Sequence, residues 1–284
     1  MGQSFYEADA DARAVFDEAS ELLGYDMKAL CFEENEKLNL TQYTQPAMVT
    51  TGIAIMKVVE KQGLLPDTAA GLSLGEYEAL YAAGALSVTD AIRVVAQRGE
   101  LMEAAVPAGV GAMAAVLGAE ADLIEETLSE IPEVWIANYN CPGQIVISGK
   151  KEAVEAAAEA LKARGIKRVL MLNVSGPFHS GLLREAGEEL GKVLAETEIH
   201  PLRIPYYANV TGDIVEDATK VRGLLTEQVY SSVRFEQSIR NMLSAGVDTF
   251  YELGPGKTLA GFVKKIDREA TVVNIETMED LAKI

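Results

Sequence analysis

Cysteine and histidine are scarce in this chain of 284 residues, two of each, and tryptophan occurs once. Cys31 and Cys141 are too few and too far apart for a disulfide framework or a clustered metal site. A reducing, cytoplasmic setting is therefore expected, with no metal. Cations are also short: 25 Lys and Arg against 43 Asp and Glu give a formal net charge of −18. Most of such a surface repels a nucleic-acid backbone or an anionic membrane, so neither is an expected partner. No apolar run reaches the ~18–20 residues that span a bilayer, and the polar, acidic stretch Met1 to Asp11 lacks signal-peptide character. Internal repeats and low-complexity tracts are missing, which sets aside disorder, collagen and coiled coil.

What is present is a large apolar fraction, 49%, punctuated in an α/β manner. At ~100–200 residues per domain, the length suits one large domain or a large one with a smaller companion. The first sixty residues read as helices: Ala10 to Leu23 closed by Gly24, then Ala47 to Val59 with Pro46 in its first turn. A short strand at Thr68 to Gly71 runs at once into a helix from Leu74 to Ala83, the pattern of a parallel sheet faced by helices. Between Gly111 and Val174 the order becomes βαββαβ, that of a ferredoxin-like unit. Beyond it come a helix (Gly181 to Glu196), a strand (Ile204 to Ala208), a helix (Phe235 to Ser244) and a strand (Thr249 to Leu253). The expectation is residues 1–110 and 175–284 as a large α/β domain, interrupted by a small one at 111–174.

Three features can carry chemistry. Gly71-Leu72-Ser73-Leu74-Gly75 places a serine between a strand and a helix. Such a turn pushes the hydroxyl outward, and the Leu74 N–H at the helix start is placed to receive an oxyanion. A Gly–Ser pair also makes an ordinary turn, so the pentapeptide needs a partner. A serine hydroxyl is a weak nucleophile without a base. Of the two histidines, His200 lies in an acidic loop, while His179 follows Gly176-Pro177-Phe178 beyond a strand end, where α/β folds place functional loops. Arg98, in the helix Asp90 to Glu103, is either a solvated charge or a fork for a substrate carboxylate. Spacing alone leaves both open.

Several dispersed segments together carry a resemblance. They run in order from Thr44-Gln45-Pro46-Ala47 through Gly71-Leu72-Ser73-Leu74-Gly75-Glu76-Tyr77 to Gln97-Arg98-Gly99-Glu100-Leu101-Met102. Asn138-Tyr139-Asn140-Cys141-Pro142-Gly143-Gln144 and Gly176-Pro177-Phe178-His179-Ser180 come next. Asn209-Val210-Thr211-Gly212 and Glu252-Leu253-Gly254-Pro255-Gly256-Lys257 complete the set. In these the chain resembles the malonyl-CoA:acyl-carrier-protein transacylase family. The resemblance implies an α/β-hydrolase-like large domain with an inserted ferredoxin-like small domain. It also implies a monomeric enzyme of fatty acid or polyketide biosynthesis, without cofactor, whose partners are malonyl-CoA and acyl carrier protein.

By the same resemblance Ser73 carries the malonyl group as an ester, His179 is base and then acid, and Leu74 supplies an oxyanion N–H. Arg98 anchors the malonyl carboxylate, with Gln45 and Met102 in the same pocket. Asn138 and Asn140 lie near the acyl or pantetheine path, and Phe178 crowds a branched α-carbon, one methyl being worth about 1–3 kcal/mol. A backbone carbonyl orients the histidine, expected near Val233 and Arg234. The acidic carrier would dock on a local basic patch, with Lys162, Arg164, Lys167 and Arg168, or Lys264, Lys265 and Arg268, as candidates. The family opens on an apolar strand and a Gly-Gln-Gly-x-Gln loop, and Met1-Gly2-Gln3 aligns beyond them. The expectation is that Met1 is an internal methionine; the alternative is a catalytically impaired carrier-binding subunit. A serine esterase or thioesterase is the other rival, and it would need a carboxylate partner for His179.

Overall fold

The computed structural model describes residues 1–107, 109–174 and 176–284. Ser175, the expected start of the second large-domain piece, and Ala108 lie outside them. Nine strands are formed among the described residues: β1 (Ala69–Ala70), β2 (Gly111–Leu117), β3 (Val134–Cys141), β4 (Gln144–Lys150), β5 (Arg168–Met171), β6 (Tyr206–Tyr207), β7 (Ile214–Val215), β8 (Thr249–Leu253) and β9 (Thr271–Ile275).

Two small parallel sheets position the site. β1 pairs with β6 and β8 with β9, while β7 adds to β6 antiparallel. Period-two alternation sends neighbouring side chains to opposite layers. Tyr206 enters a core built with the N-terminal helices, and Tyr207 one built with the Phe235–Ser244 and Thr258–Ile266 helices. At the centre of the first core runs the Thr41–Lys61 helix, whose residues from Gln45 to Val59 are nearly all buried. That helix starts before the expected Ala47, so Pro46 sits inside it rather than in its first turn. The extra turn has its own support. Tyr43 and Thr44 N–H both donate to the Leu40 carbonyl, and Thr41 N–H donates to Glu103 at 2.9 Å.

The segment from Gly111 to Met171 folds as the βαββαβ order predicts. Its four strands are fully antiparallel in the order β3-β4-β2-β5, a ferredoxin-like arrangement. One face (Ala114, Val116, Ile136, Ile145, Ile147) packs on the Ala121–Ser129 and Lys151–Ala163 helices. The other face presents Met113, Ala137 and Val146 to Phe178, one residue before His179. A β-bridge from Asn138 to Val233, with Tyr139 N–H donating to the Val233 carbonyl, ties β3 to the segment just before the Phe235–Ser244 helix.

A partly buried carboxylate gives this core a pH-dependent stability. Glu78, on the Gly75–Ala82 helix, packs against Gly52, where a side chain would overlap its carboxyl group. Burial pushes Glu78 up to about 8. The unfolded carboxyl titrates near ~4.3, so stability is greatest below that pH and is lost as pH rises through 8. Glu78→Gln should therefore raise stability at pH 8 by on the order of 2 kcal/mol and barely change it at pH 4. Thermal melts of both proteins at the two pH values check this; equal shifts at both would refute it.

Candidate active site

Gly71-Leu72-Ser73-Leu74-Gly75 leaves β1 and enters the Gly75–Ala82 helix. A Cβ at Gly71 would overlap the backbone of Gly75, so glycine is required there. At Gly75 itself a Cβ meets open space, so only the first glycine is sterically needed. Ser73 has φ 53° and His179 φ 56°. A non-glycine residue in the left-handed region costs about 1–3 kcal/mol and persists only where surrounding bonds hold it. Ser73 is held on both sides. Its N–H donates to Asn209 Oδ1 at 2.5 Å, and its carbonyl accepts from Gln228 Nε2 at 2.8 Å. Asn209 in turn donates to the Gly71 carbonyl at 2.6 Å.

Ser73 Oγ lies 2.7 Å from His179 Nε2, although 106 residues separate them. On the far side of the ring, Nδ1 lies 2.8 Å from the backbone carbonyl of Gln228. A carbonyl only accepts, so Nδ1 carries the proton and the Nε2 lone pair receives the Ser73 hydroxyl. Burial, and then the nearby Arg98 charge, push His179 down to about 4. The imidazole is therefore neutral at pH 7, the form that can take a proton. The carbonyl expected near Val233 and Arg234 is thus Gln228's. The Val233 carbonyl is already taken by Tyr139 N–H, and Arg234 N–H donates to the Asn209 carbonyl. These two residues join the four-stranded sheet to the rest of the chain and do not reach the histidine.

Arg98 is not a solvated charge. It is 2% exposed, with Nη1 donating to Gln45 Oε1 at 2.7 Å and Nη2 to Ser73 Oγ and Gln228 Oε1, each at 3.0 Å. All three acceptors are neutral, and burial lowers the Arg98 pKa. A guanidinium buried against neutral oxygens beside an outward hydroxyl is matched to an anionic ligand. Gln45 is steadied by donating to Thr41 Oγ1 at 3.1 Å and Met102 Sδ at 3.6 Å, which gathers Met102 at the same place. The Leu74 N–H has no acceptor among the described residues and is free for an oxyanion.

Other candidates stand further out. Phe178, next to His179 in the chain, packs against Met113, Ala137 and Val146 of the four-stranded sheet. Asn138 and Asn140 are buried on β3 where its pairing slips register. Neither bonds to Ser73, His179 or Arg98 among the described residues. Of the basic candidates, Lys162 and Arg164 pair with Glu159 and Glu126, while Lys264 and Lys265 donate to the Arg268 carbonyl and Gln144. No group of three or more His, Cys, Asp or Glu side chains among the described residues is placed to hold a metal ion. No described helix is long and apolar enough to cross a membrane. Residue patterns gave no role to Glu76, Asn209 or Gln228. A side chain that acts by holding backbone leaves no signature in spacing, and Gln228 stands in an ordinary helix end, Glu227-Gln228-Val229.

A serine hydroxyl in hydrogen-bond reach of a carbonyl-held histidine on an α/β frame is the arrangement of an acyl-transferring enzyme, and comparison with known proteins gives the same class. The acyl transferase domain family matches residues 1–280. The malonyl CoA-acyl carrier protein transacylase of Bacillus subtilis (strain 168) is 46% identical over 286 residues, covering 99% of this chain and 90% of the relative. The crystal structure of malonyl CoA-acyl carrier protein transacylase from Clostridium perfringens superposes with TM-score 0.96 at 42% identity, covering 100% of this chain and 90% of that one. A malonyl-transacylase solved in complex with a type II PKS acyl-carrier protein superposes equally well, TM-score 0.96 at 38% identity, covering 100% and 93%. The chain belongs to the malonyl CoA-acyl carrier protein transacylase family.

Proposed function

We propose that this chain moves a malonyl group from malonyl-CoA to the phosphopantetheine thiol of an acyl carrier protein, through an ester on Ser73. One observation carries the reading: a single hydroxyl lies 2.7 Å from a neutral imidazole and 3.0 Å from a buried guanidinium. The base and the carboxylate anchor thus converge on one oxygen.

Malonyl-CoA binds with its carboxylate on Arg98, which Gln45 and Gln228 aim. Ser73 Oγ attacks the thioester carbonyl as its proton passes to His179 Nε2. The new O–C bond leaves negative charge on the carbonyl oxygen, which the Leu74 N–H receives. The C–S bond then breaks, and the departing CoA sulfur takes the proton back from His179. The second half runs in reverse: the carrier thiol gives its proton to His179, its sulfur attacks the ester, and Ser73 Oγ leaves with that proton. The Gln228 carbonyl faces Nδ1–H throughout, steadying the imidazolium without a carboxylate. Met102 and Phe178 bound the acyl group, and Asn138 and Asn140 lie along the approach. In this reading residues 111–174 form a small domain set against a large one of residues 1–110 and 175–284. The enzyme works as a cytoplasmic monomer without metal or cofactor, its two buried cysteines remaining unpaired.

Incubation with malonyl-CoA and phosphopantetheinylated carrier tests it by intact mass. The carrier should gain a malonyl group at a rate far above the release of free malonate. Malonate release unaffected by carrier would identify a hydrolase instead.

A further inference from the structure

Beneath the site lies a carboxylate that the transfer steps do not use. Glu76 is 0% exposed, and one of its two oxygens, Oε2, accepts both from Gln228 Nε2 at 2.7 Å and from Asn209 N–H at 3.2 Å. These two residues are the ones that hold the active groups. Asn209 fixes the Ser73 N–H, and Gln228 fixes the Ser73 carbonyl, the His179 Nδ1–H and one Arg98 nitrogen. The Gln228 amide lies head to tail between opposite charges: its oxygen accepts from the guanidinium and its nitrogen donates to the carboxylate. Such a chain polarises each member and strengthens both bonds. It also settles which way the amide points, since a flipped Gln228 would set oxygen against Glu76 and nitrogen against Arg98.

The other oxygen, Oε1, has no hydrogen-bond partner among the described residues; nor do the hydroxyls of Tyr77 and Tyr206 or Arg98 Nε. All four residues are almost fully buried. Leaving a buried charged oxygen short of partners costs free energy that packing alone would have removed by selecting an apolar residue.

We propose that Glu76 is a positioning residue for the acyl transfer: through Asn209 and Gln228 it holds Ser73, His179 and Arg98 in their reactive arrangement. This rests on the transfer chemistry proposed above. The charged and titratable groups facing Glu76 are Arg98 from the Val88–Ala104 helix, Tyr206 from β6 and Tyr77 from its own helix. Burial pushes Glu76 up to about 7, against the lowering effect of its bonds to Gln228 and Asn209 and of Arg98. The brace therefore tightens as pH passes through 7, well above the His179 ionisation.

The test follows labelling of Ser73 by an uncharged, serine-directed organophosphonate, alongside ester formation from malonyl-CoA, from pH 5 to 9. In the unmodified protein the labelling rate should rise through about pH 7 after subtraction of the Ser73→Ala background. Glu76→Gln should lose that rise and lower kcat at least ~10-fold, with KM for malonyl-CoA changing less than ~3-fold. Glu76→Asp should restore part of the rate and the pH dependence. A flat profile in the unmodified protein overturns the proposal whether or not the variants fold. So does a Glu76→Gln protein with unchanged profile and kcat. If phosphonate labels Ser73 with this pH dependence while malonyl-CoA does not, the malonyl assignment fails and the role of Glu76 stands.

Discussion

Ser73→Ala should form no covalent malonyl adduct, and malonyl transfer should fall by on the order of 10⁴–10⁶. The size of the loss follows from the two-step path. Without Oγ there is no ester to carry the acyl group from one thiol to the other, and the thioester must exchange directly between CoA and carrier. The change is also small structurally. Removing one oxygen frees Arg98 Nη2 from one of its two acceptors and His179 Nε2 from its donor. The backbone bonds that hold position 73, to Asn209 and Gln228, stay in place. Folding should therefore be nearly unaffected, and alanine carries the same left-handed strain as serine. Intact-mass spectra after exposure to malonyl-CoA, and carrier loading by the same method, check both halves. A retained adduct would place the nucleophile on another residue.

Much of this architecture was legible in residue patterns because the relevant forces are local. The Lys151–Ala163 helix has its expected ends: an amphipathic alanine-rich run closes at Gly165, which has φ 96°. The Phe235–Ser244 helix and β8 likewise match the expected spans. Misreadings occur where a distant group sets a boundary. The Thr41–Lys61 helix gains its first turn from Glu103, 62 residues away, which no local pattern announces. β9 and the Thr258–Ile266 helix were not expected. Their half-buried faces are completed by β8 and by the Glu252 carboxylate, which accepts from the Leu259 and Ala260 N–H groups. At the site, residue type was informative where chemistry needs a particular side chain, as at Ser73, His179 and Arg98. It was blind to the histidine's partner, since every residue carries a carbonyl and only the fold selects which one faces Nδ1. The same blindness hid Gln228, whose side chain and main chain bond to four different residues, Arg98, Ser73, Glu76 and His179.

Arg98→Ala should separate two thioesters that differ by one carboxylate. For malonyl-CoA, kcat/KM should fall by about 10²–10³, the scale of truncating one partner of a buried, hydrogen-bonded charge pair. For acetyl-CoA there is no carboxylate to lose, so the fall should be far smaller. Some loss remains even there, because Gln45 Oε1 and Gln228 Oε1 would each lose a donor. Arg98→Lys isolates the fork from the charge: a single ammonium can satisfy only part of that geometry, so malonyl transfer should recover incompletely. The variant has a second signature. Arg98 is the largest cause of the lowered His179 pKa after burial, so its removal should move the acid limb of acetyl transfer upward from about 4. Measuring both substrates across pH 3 to 8 reads the two effects separately. Equal losses on malonyl and acetyl thioesters would remove the carboxylate from the role of Arg98 and leave the guanidinium only its contacts with Gln45, Ser73 and Gln228. An unmoved acid limb would show that burial alone sets the base.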